Sequence, residues 1–334
     1  MWCPLIAFVL SFIGLYFLKK YAPRLKLMAI PNERSLHREV TPQGGGIIIA
    51  IIFLIINLII YLTGQMKTAE FIALFGGGLV MAFTGFLDDM FEIKRSIRFF
   101  IQFLSVGWGL YWVGGIPHSP FFDSEFALYA LANGCAVVAL VWFINSFNFM
   151  DGIDGLATSG ATFFSLSIGG YFVWQGIEPY GSLLVVLAAC SLSFLCFNWP
   201  PSKMFLGDAG SNFFGYLFGI LLLITVKNEQ ISIWTWLIVF GYFITDTTTT
   251  TFLRICLLEG WFRTPHRSHA YQNLARVFNS HKFVTCLILG IKVFYLLPLA
   301  YLSIQYQQFG WLAFLASVIP ILVFVLKYGP LYAR

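Results

Sequence analysis

The chain has 334 residues, 59% of them hydrophobic, 19% aromatic and only 10% charged, with a formal net charge of +5 at neutral pH. Soluble domains carry about 25% charged residues, so this composition excludes an ordinary water-soluble globule and leaves no polar stretch long enough for a soluble domain. Residues 1–334 read as one membrane domain, and no nucleic-acid partner is expected of it.

Apolar runs able to cross roughly 30 Å of hydrocarbon begin near Pro4, Ile47, Ala69, Phe99, Tyr129, Thr158, Gly181, Asn212, Ile231, Phe283 and Gly310. They predict an all-α fold, a polytopic integral membrane bundle of about eleven transmembrane helices. The first run has no basic stretch before it and no small-residue cleavage site after it, so it reads as a retained span and not as a signal peptide. An odd count places loops 19–46, 88–98, 147–157, 198–211 and 253–282 on one side, together with the C-terminal tail. That side carries 17 of the 20 Lys and Arg residues; the other carries only Lys67 and Lys227, and Lys292 falls within a span. By the positive-inside rule the rich side is cytoplasmic and the N-terminus faces out. Cys3, Cys135, Cys190, Cys196, Cys256 and Cys286 lie mostly in apolar runs without C-x-x-C spacing, and are expected as buried thiols.

The polar clusters fall in those five loops, which predicts that they converge on one face. The loop at 31–46 holds Arg34, His37, Arg38 and a run of three glycines, a weak pattern by itself. Asp88 and Asp89 end the third run, with Lys94, Arg95, Arg98 and Gln102 close behind. Adjacent side chains on a helix diverge by about 100°, so the two acids are expected to divide roles unless the helix unwinds. A solvated span end is the plain alternative.

Asn145, Asn148, Asp151 and Asp154 recur at intervals of three, followed by Gly152 and Gly155 positions that permit tight turns. On a helix or 3₁₀ turn they share a face, where a cation or ligand donors relieve the repulsion between the acids. Phe205-Leu-Gly-Asp-Ala-Gly-Ser211 opens an apolar run, with Asp208 or Ser211 available as N-cap. Small residues there leave helix amides open to a phosphate, and Asp208 is placed to hold an accompanying magnesium ion. Asp246 and Lys292 are the ionisable groups inside spans, each costly unless it faces protein or water; Asp246 lies about two turns before Arg254 and can reach toward the cytoplasmic site. His266, Arg267 and His269 form a basic patch in the last large loop. Without the i, i+4 histidines and intervening Glu of a zinc peptidase, phosphate binding fits it better than zinc. Contact with lipid headgroups is the alternative.

Taken in this order, Asp88-Asp89, the Asn145–Ala157 segment, Asn198 through Ser211 and the His266 loop resemble the polyprenyl-phosphate N-acetylhexosamine-1-phosphate transferase family, of the glycosyltransferase family 4 type. The resemblance covers nearly the whole chain. It implies a magnesium-dependent phosphotransferase, with manganese as a substitute, in the bacterial inner (cytoplasmic) membrane. Its implied partners are a UDP-N-acetylhexosamine donor, an undecaprenyl (polyprenyl) phosphate acceptor and the surrounding membrane lipids; a homodimer stays open. The products implied are UMP and a polyprenyl-diphosphate-sugar. Carried over by position, Asp208 resembles the metal ligand, and Asp88 or Asp89 the group that activates the lipid phosphate. Asn148, Asp151, Asp154, Asn198 and Phe205 resemble the nucleotide-sugar pocket, with Phe205 stacking on the uracil. His266, Arg267 and His269 resemble the phosphate-binding loop. That loop reads His-Arg-Ser-His-Ala-Tyr-Gln, similar to the branch that begins O-antigen or related surface glycans, but Ala29 and Gln43 stand where that branch has an acid and a base.

A transporter or flippase of lipid-linked sugars is the non-enzyme alternative, but transporters place polar groups near the bilayer midplane. A CDP-alcohol phosphatidyltransferase needs an Arg and two further spaced aspartates after the first Asp-Gly, which the segment after Gly155 lacks. Direct attack by the lipid phosphate and a phospho-enzyme route both remain open.

Overall fold

The computed structural model describes residues 3–31, 39–117, 126–257 and 267–332. The chain is a helical bundle with almost no sheet. Its elements are α1 (Cys3–Tyr21), a two-residue ribbon of β1 (Met28–Ala29) and β2 (Thr41–Pro42), α2 (Gly46–Leu62), α3 (Thr68–Phe91), α4 (Arg95–Val113) and α5 (Phe126–Phe149). Next come α6 (Leu156–Gln175), α7 (Tyr180–Asn198), α8 (Gly207–Lys227), α9 (Ile233–Val239), α10 (Gly241–Leu257) and the short α11 (Ala270–Val277). The last two rods are α12 (His281–Ile291), which continues through a π turn into α13 (Leu297–Gln305), and α14 (Gly310–Tyr328).

Eight helical segments are long and apolar enough to cross a membrane. They correspond to α1, α3, α5, α6, α7, α8, the α12–α13 rod and the last rod, residues 307–328. Of the three other predicted runs, α2 is a shorter apolar helix of 17 residues, α4 opens on Arg95 and Arg98, and the run from Ile231 divides at Phe240 into α9 and α10. The π turn at Lys292–Leu296 precedes Pro298, which has no amide to offer the carbonyl of Phe294, so the helical ladder widens there.

Helix α8 is the centre of the bundle: 89% of its apolar window is buried, against 17% for α1 at the periphery. Glycines let its neighbours approach. A Cβ on Gly46 would overlap the backbone of Gly210, and one on Gly85 the backbone of Asp208, so α2 and α3 meet the start of α8 at backbone distance. Outward faces carry large apolar side chains such as Leu5, Trp174, Phe294 and Val323, as a hydrocarbon surrounding requires. The cysteines differ from expectation for the same reason. Only Cys190 is buried; the other five are exposed, because an apolar run in this setting can point its small residues at lipid as readily as at the core.

Candidate active site

Helix ends and loops distant in sequence meet at one end of the bundle. Asp88, on the inner face of α3, accepts a hydrogen bond from the amide of Ile93 (2.6 Å) and an ion pair from Arg98 (2.5 Å). Asp89 turns away from it. Its two carboxylate oxygens accept the amides of Asp208 (2.8 Å) and Ala209 (3.2 Å), the first turn of α8. Gly207 makes this possible: its φ is +77° and a Cβ there would overlap the Asp89 carboxylate.

This arrangement corrects two sequence expectations. Neither Asp208 nor Ser211 caps α8, whose N-cap is Leu206 without a side-chain bond; the cap comes from Asp89 on another helix. The first amides of α8 are therefore engaged by a carboxylate and do not lie open to a phosphate. In return the Asp208 side chain projects into the site. It accepts from the Asn148 amide on one oxygen and from Arg98 on the other (2.9 Å), and Asn148 also reaches Ser211 Oγ (2.9 Å).

Helix α5 ends at Phe149, so only Asn145 and Asn148 of the four-residue repeat lie on a helix; Asp151 and Asp154 lie in the turn that follows. Asn145 diverges, donating to Gln102 Oε1 (2.8 Å). Asp154 accepts from the amide of Ser202 (3.1 Å) and pairs with His281 Nδ1 (3.3 Å). Asn198 is buried and committed on every side: it accepts from Gly155 N (3.1 Å) and Thr158 Oγ1 (2.8 Å) and donates to Met204 O (3.0 Å) and Ser202 Oγ (3.5 Å). It shapes the loop that carries Phe205, whose backbone is fixed by Pro42 O (2.8 Å) and Gly45 N (3.1 Å).

Two cavities open here. The first, about 350 Å³, is lined by Asp89, Asn148, Asp151, Asp154, Asn198, Phe205 and Asp208, with Gln43, Ala29 and His281 at its walls. The second, about 630 Å³, has a basic and polar floor of Arg95, Arg98, Arg254, Gln272 and His269, and walls that include Phe99, Trp142 and Ile255. Phe99 and Ile255 are exposed on the outer surface of the bundle, so apolar side chains flank the second cavity there. Asn148, Asp151 and Gly152 line both, forming the partition.

His266 lies outside the described residues, as do Arg34, His37 and Arg38. His269 lines the second cavity, at the N-cap of α11 and not on a helix face. Arg267 lines neither cavity among the described residues; its carbonyl accepts from Arg276 (2.6 Å). Sequence reasoning gave no site role to Arg98, Gln43 or His281. Arg98 stood at the end of the predicted loop 88–98 with no local signal of its partners, and it lies one turn into α4; the Gln43 side chain donates to Asp89 O (2.8 Å), a contact 46 residues away in sequence.

The electrostatics are unbalanced. Burial in the partition, and then the negative charges of Asp208, Asp89 and Asp154, push the Asp151 carboxyl well above the usual carboxylate range. The oxygen-rich donor set and this excess of negative charge fit a hard divalent cation. Among the described residues no three His, Cys, Asp or Glu side chains converge to hold a metal alone.

Residues 71–226 match the glycosyl transferase family 4 model, a segment that runs from α3 through the end of α8 and so contains both the acid pair and the partition. The chain is 29% identical over 294 residues to the probable undecaprenyl-phosphate N-acetylglucosaminyl 1-phosphate transferase of Bacillus subtilis (strain 168), covering 85% of this chain and 80% of that one. It is 26% identical over 314 residues to a phospho-N-acetylmuramoyl-pentapeptide-transferase of Streptococcus pyogenes serotype M5, covering 87% and 89%. The decaprenyl-phosphate N-acetylglucosaminephosphotransferase of Mycobacterium tuberculosis (strain H37Rv) is 28% identical over 236 residues, covering 64% of this chain and 57% of that protein. The matched segment is the one that builds the acidic site, and the similarity to these transferases extends beyond it on both sides, so the chain is similar to glycosyl transferase family 4 where its polar residues converge.

Proposed function

We propose that the chain transfers an N-acetylhexosamine 1-phosphate from a UDP-sugar to undecaprenyl phosphate, releasing UMP and leaving a polyprenyl-diphosphate-sugar. The product would initiate a lipid-linked cell-envelope glycan such as O-antigen. One observation carries the reading: a polar, acidic cavity and a basic cavity flanked by apolar side chains share a wall made of Asn148, Asp151 and Gly152. A soluble nucleotide-sugar and a lipid phosphate can thus enter from different sides and meet. The similarity to enzymes named for polyprenyl-phosphate sugar-1-phosphate transfer supports it.

In this reading the first cavity takes the donor, with the ring of Phe205 available to the uracil. A magnesium ion held by Asp208 beside Asp151 would supply the positive charge that the donor diphosphate and departing UMP require. Arg98 lines the second cavity and faces the acceptor phosphate, with Asp88 fixing its guanidinium. Asp89 already accepts two backbone amides and Asp88 lines neither cavity, so neither is a good covalent nucleophile. The acceptor phosphate, whose second ionisation lies near neutrality, attacks directly. The loops that build the site are taken as cytoplasmic, with the N-terminus outside.

The test is to incubate purified protein with magnesium, undecaprenyl phosphate and a panel of UDP-N-acetylhexosamines and identify the lipid product. A lipid-linked monosaccharide diphosphate is expected; no lipid product with any donor would overturn the reading. A burst of UMP without lipid would replace direct attack by a phospho-enzyme. For topology, a cysteine placed at Gln65 should be labelled from outside intact cells and one at Lys203 should not.

A further inference from the structure

Asp246 is a carboxylate at 0% exposure in the middle of α10. A charge at that position of a membrane helix is expensive, and it is tolerated only where donors surround it. Here they do. Oδ1 takes the Thr250 hydroxyl (3.0 Å), His269 Nδ1 (3.2 Å) and the amide of Ala270 (3.3 Å), and Oδ2 takes the Tyr242 hydroxyl (3.5 Å). A neutral side chain would suffice to cap α11. What a carboxylate adds is a strong acceptor for one particular ring nitrogen of His269.

That ring is held from its other sides as well. It packs on Phe149 (centroids 5.8 Å apart) and Tyr271 (5.9 Å), and Tyr271 is fixed by its hydroxyl to Phe149 O (2.6 Å), at the end of α5 where the partition begins. His269 is 2% exposed, yet it lines the second cavity with Arg95, Arg98 and Arg254. A side chain so confined has one orientation, with Nδ1 turned to Asp246. We propose that Asp246 is a positioning residue, which engages Nδ1 of His269 and so directs Nε2 of the same ring to the phosphate of a polyprenyl phosphate in the second cavity. The logic is that of a carboxylate behind a metal-bound or catalytic histidine, where the outer partner decides which nitrogen works.

The inference rests on the reading of the second cavity as the acceptor site, and a binding measurement separates the two. Full-length protein in nanodiscs is titrated with undecaprenyl phosphate, read by thermal stabilisation, and separately with UDP-N-acetylglucosamine and magnesium. Asp246→Asn keeps the size but removes the charge and turns one acceptor oxygen into a donor NH2; it should weaken binding of the lipid phosphate by about 10- to 100-fold and leave the nucleotide-sugar titration unchanged. His269→Gln should do the same, and the double variant should be no worse than either single one. Thr250→Val removes one donor to Asp246 without touching the ring, so a smaller loss in the same titration is expected; it carries the test if Asp246→Asn fails to fold. Wild-type affinity for the lipid phosphate in Asp246→Asn, equal losses for both substrates, full additivity in the double variant, or no lipid binding by the wild type each overturns the proposal. Lipid binding by the wild type without turnover of any UDP-sugar would instead sink the proposed reaction and leave this role of Asp246 standing.

Discussion

Helix α3 carries acids at both of its ends, about 27 Å apart at 1.5 Å per residue, and they are partnered differently. At one end Glu70 accepts the Tyr180 hydroxyl (2.5 Å) on one oxygen and the Asn228 amide (3.1 Å) on the other, with Lys67 Nζ 3.7 Å away. Each oxygen is satisfied by neighbours that belong to the same protein, and the cluster ties α3 to the start of α7 and the end of α8. At the other end five aspartates, 88, 89, 151, 154 and 208, have among the described residues Arg98 as a cationic partner, shared by Asp88 and Asp208, and the His281 ring beside Asp154. The first cluster closes on itself. The second is short of positive charge, which is the mark of a site that a ligand completes. The contrast separates structural acids from functional ones by their partners, where sequence alone sees only acids at span ends.

The contrast is broken most sharply at Asp208. Asp208→Asn keeps the side chain's size and its place beside Asn148 but removes the charge a cation would bind, and turnover should fall by about a thousand-fold with the unliganded melting temperature maintained. Activity within a few-fold of wild type at saturating magnesium would remove Asp208 from the metal role. Arg98→Gln comes next. It strips the guanidinium from both Asp88 and Asp208, so kcat/KM for the lipid acceptor should drop by about a hundred-fold, and a loss confined to KM for the nucleotide-sugar would place Arg98 on the other substrate.

Phe205→Ala should act on the donor alone. Losing an aromatic platform for a base costs about 1–3 kcal/mol, a change of roughly 5- to 150-fold in nucleotide-sugar affinity. An unchanged donor titration would end the stacking assignment.

Much of this was legible in the chain because polar residues are so rare in it. Against an apolar background the acids at 88, 89, 151, 154 and 208 stand out, and hydropathy finds the rods that bring them together. What the sequence could not convey is pairing across distance. That Asp89 caps α8, 119 residues away, follows from α3 and α8 touching at Gly85, and no local signal at Asp208 reports a cap supplied from elsewhere. Asn198 read as a pocket residue and does line the first cavity, but its sequence neighbours gave no sign that its amide is engaged by the backbone of its own loop and by Gly155 and Thr158. Which face of a rod meets lipid was equally hidden: hydrocarbon and core reward the same residues, so the cysteines were misplaced.

The charge shortage at the site also predicts a pH dependence. The Asp151 carboxyl titrates near 3.9 in an unfolded chain and well above that in the fold, so the folded state prefers the proton. Stability from this group is therefore full below the unfolded value and is lost as pH rises toward the folded one. With magnesium chelated, the melting temperature should fall by a few degrees across that window; added magnesium should restore it, and more at higher pH. A melting temperature that rises over the same interval in EDTA would contradict the charge imbalance.

The smallest functional effect is expected at Glu70, and it sharpens the comparison by inverting it. Glu70→Gln retains an acceptor for Tyr180 or Asn228 and removes a charge that is already compensated, so the unfolding free energy should fall by about 1 kcal/mol while kcat and both KM values stay within two-fold of wild type. Glu70→Ala leaves the Tyr180 hydroxyl and the Asn228 amide without their partner in an enclosed place, and its cost should be larger, about 2–4 kcal/mol, again without a change in substrate affinity. The pair of variants matters because both ends of α3 are joined by one continuous helix. If a loss of packing at the Glu70 end were transmitted along it, the Asp89 cap on α8 would loosen and donor KM would rise in proportion to the stability lost. A donor KM that tracks stability through Gln and then Ala at position 70 would therefore show that the two ends are one mechanical unit, whereas constant KM values across that series would establish Glu70 as an acid of the scaffold.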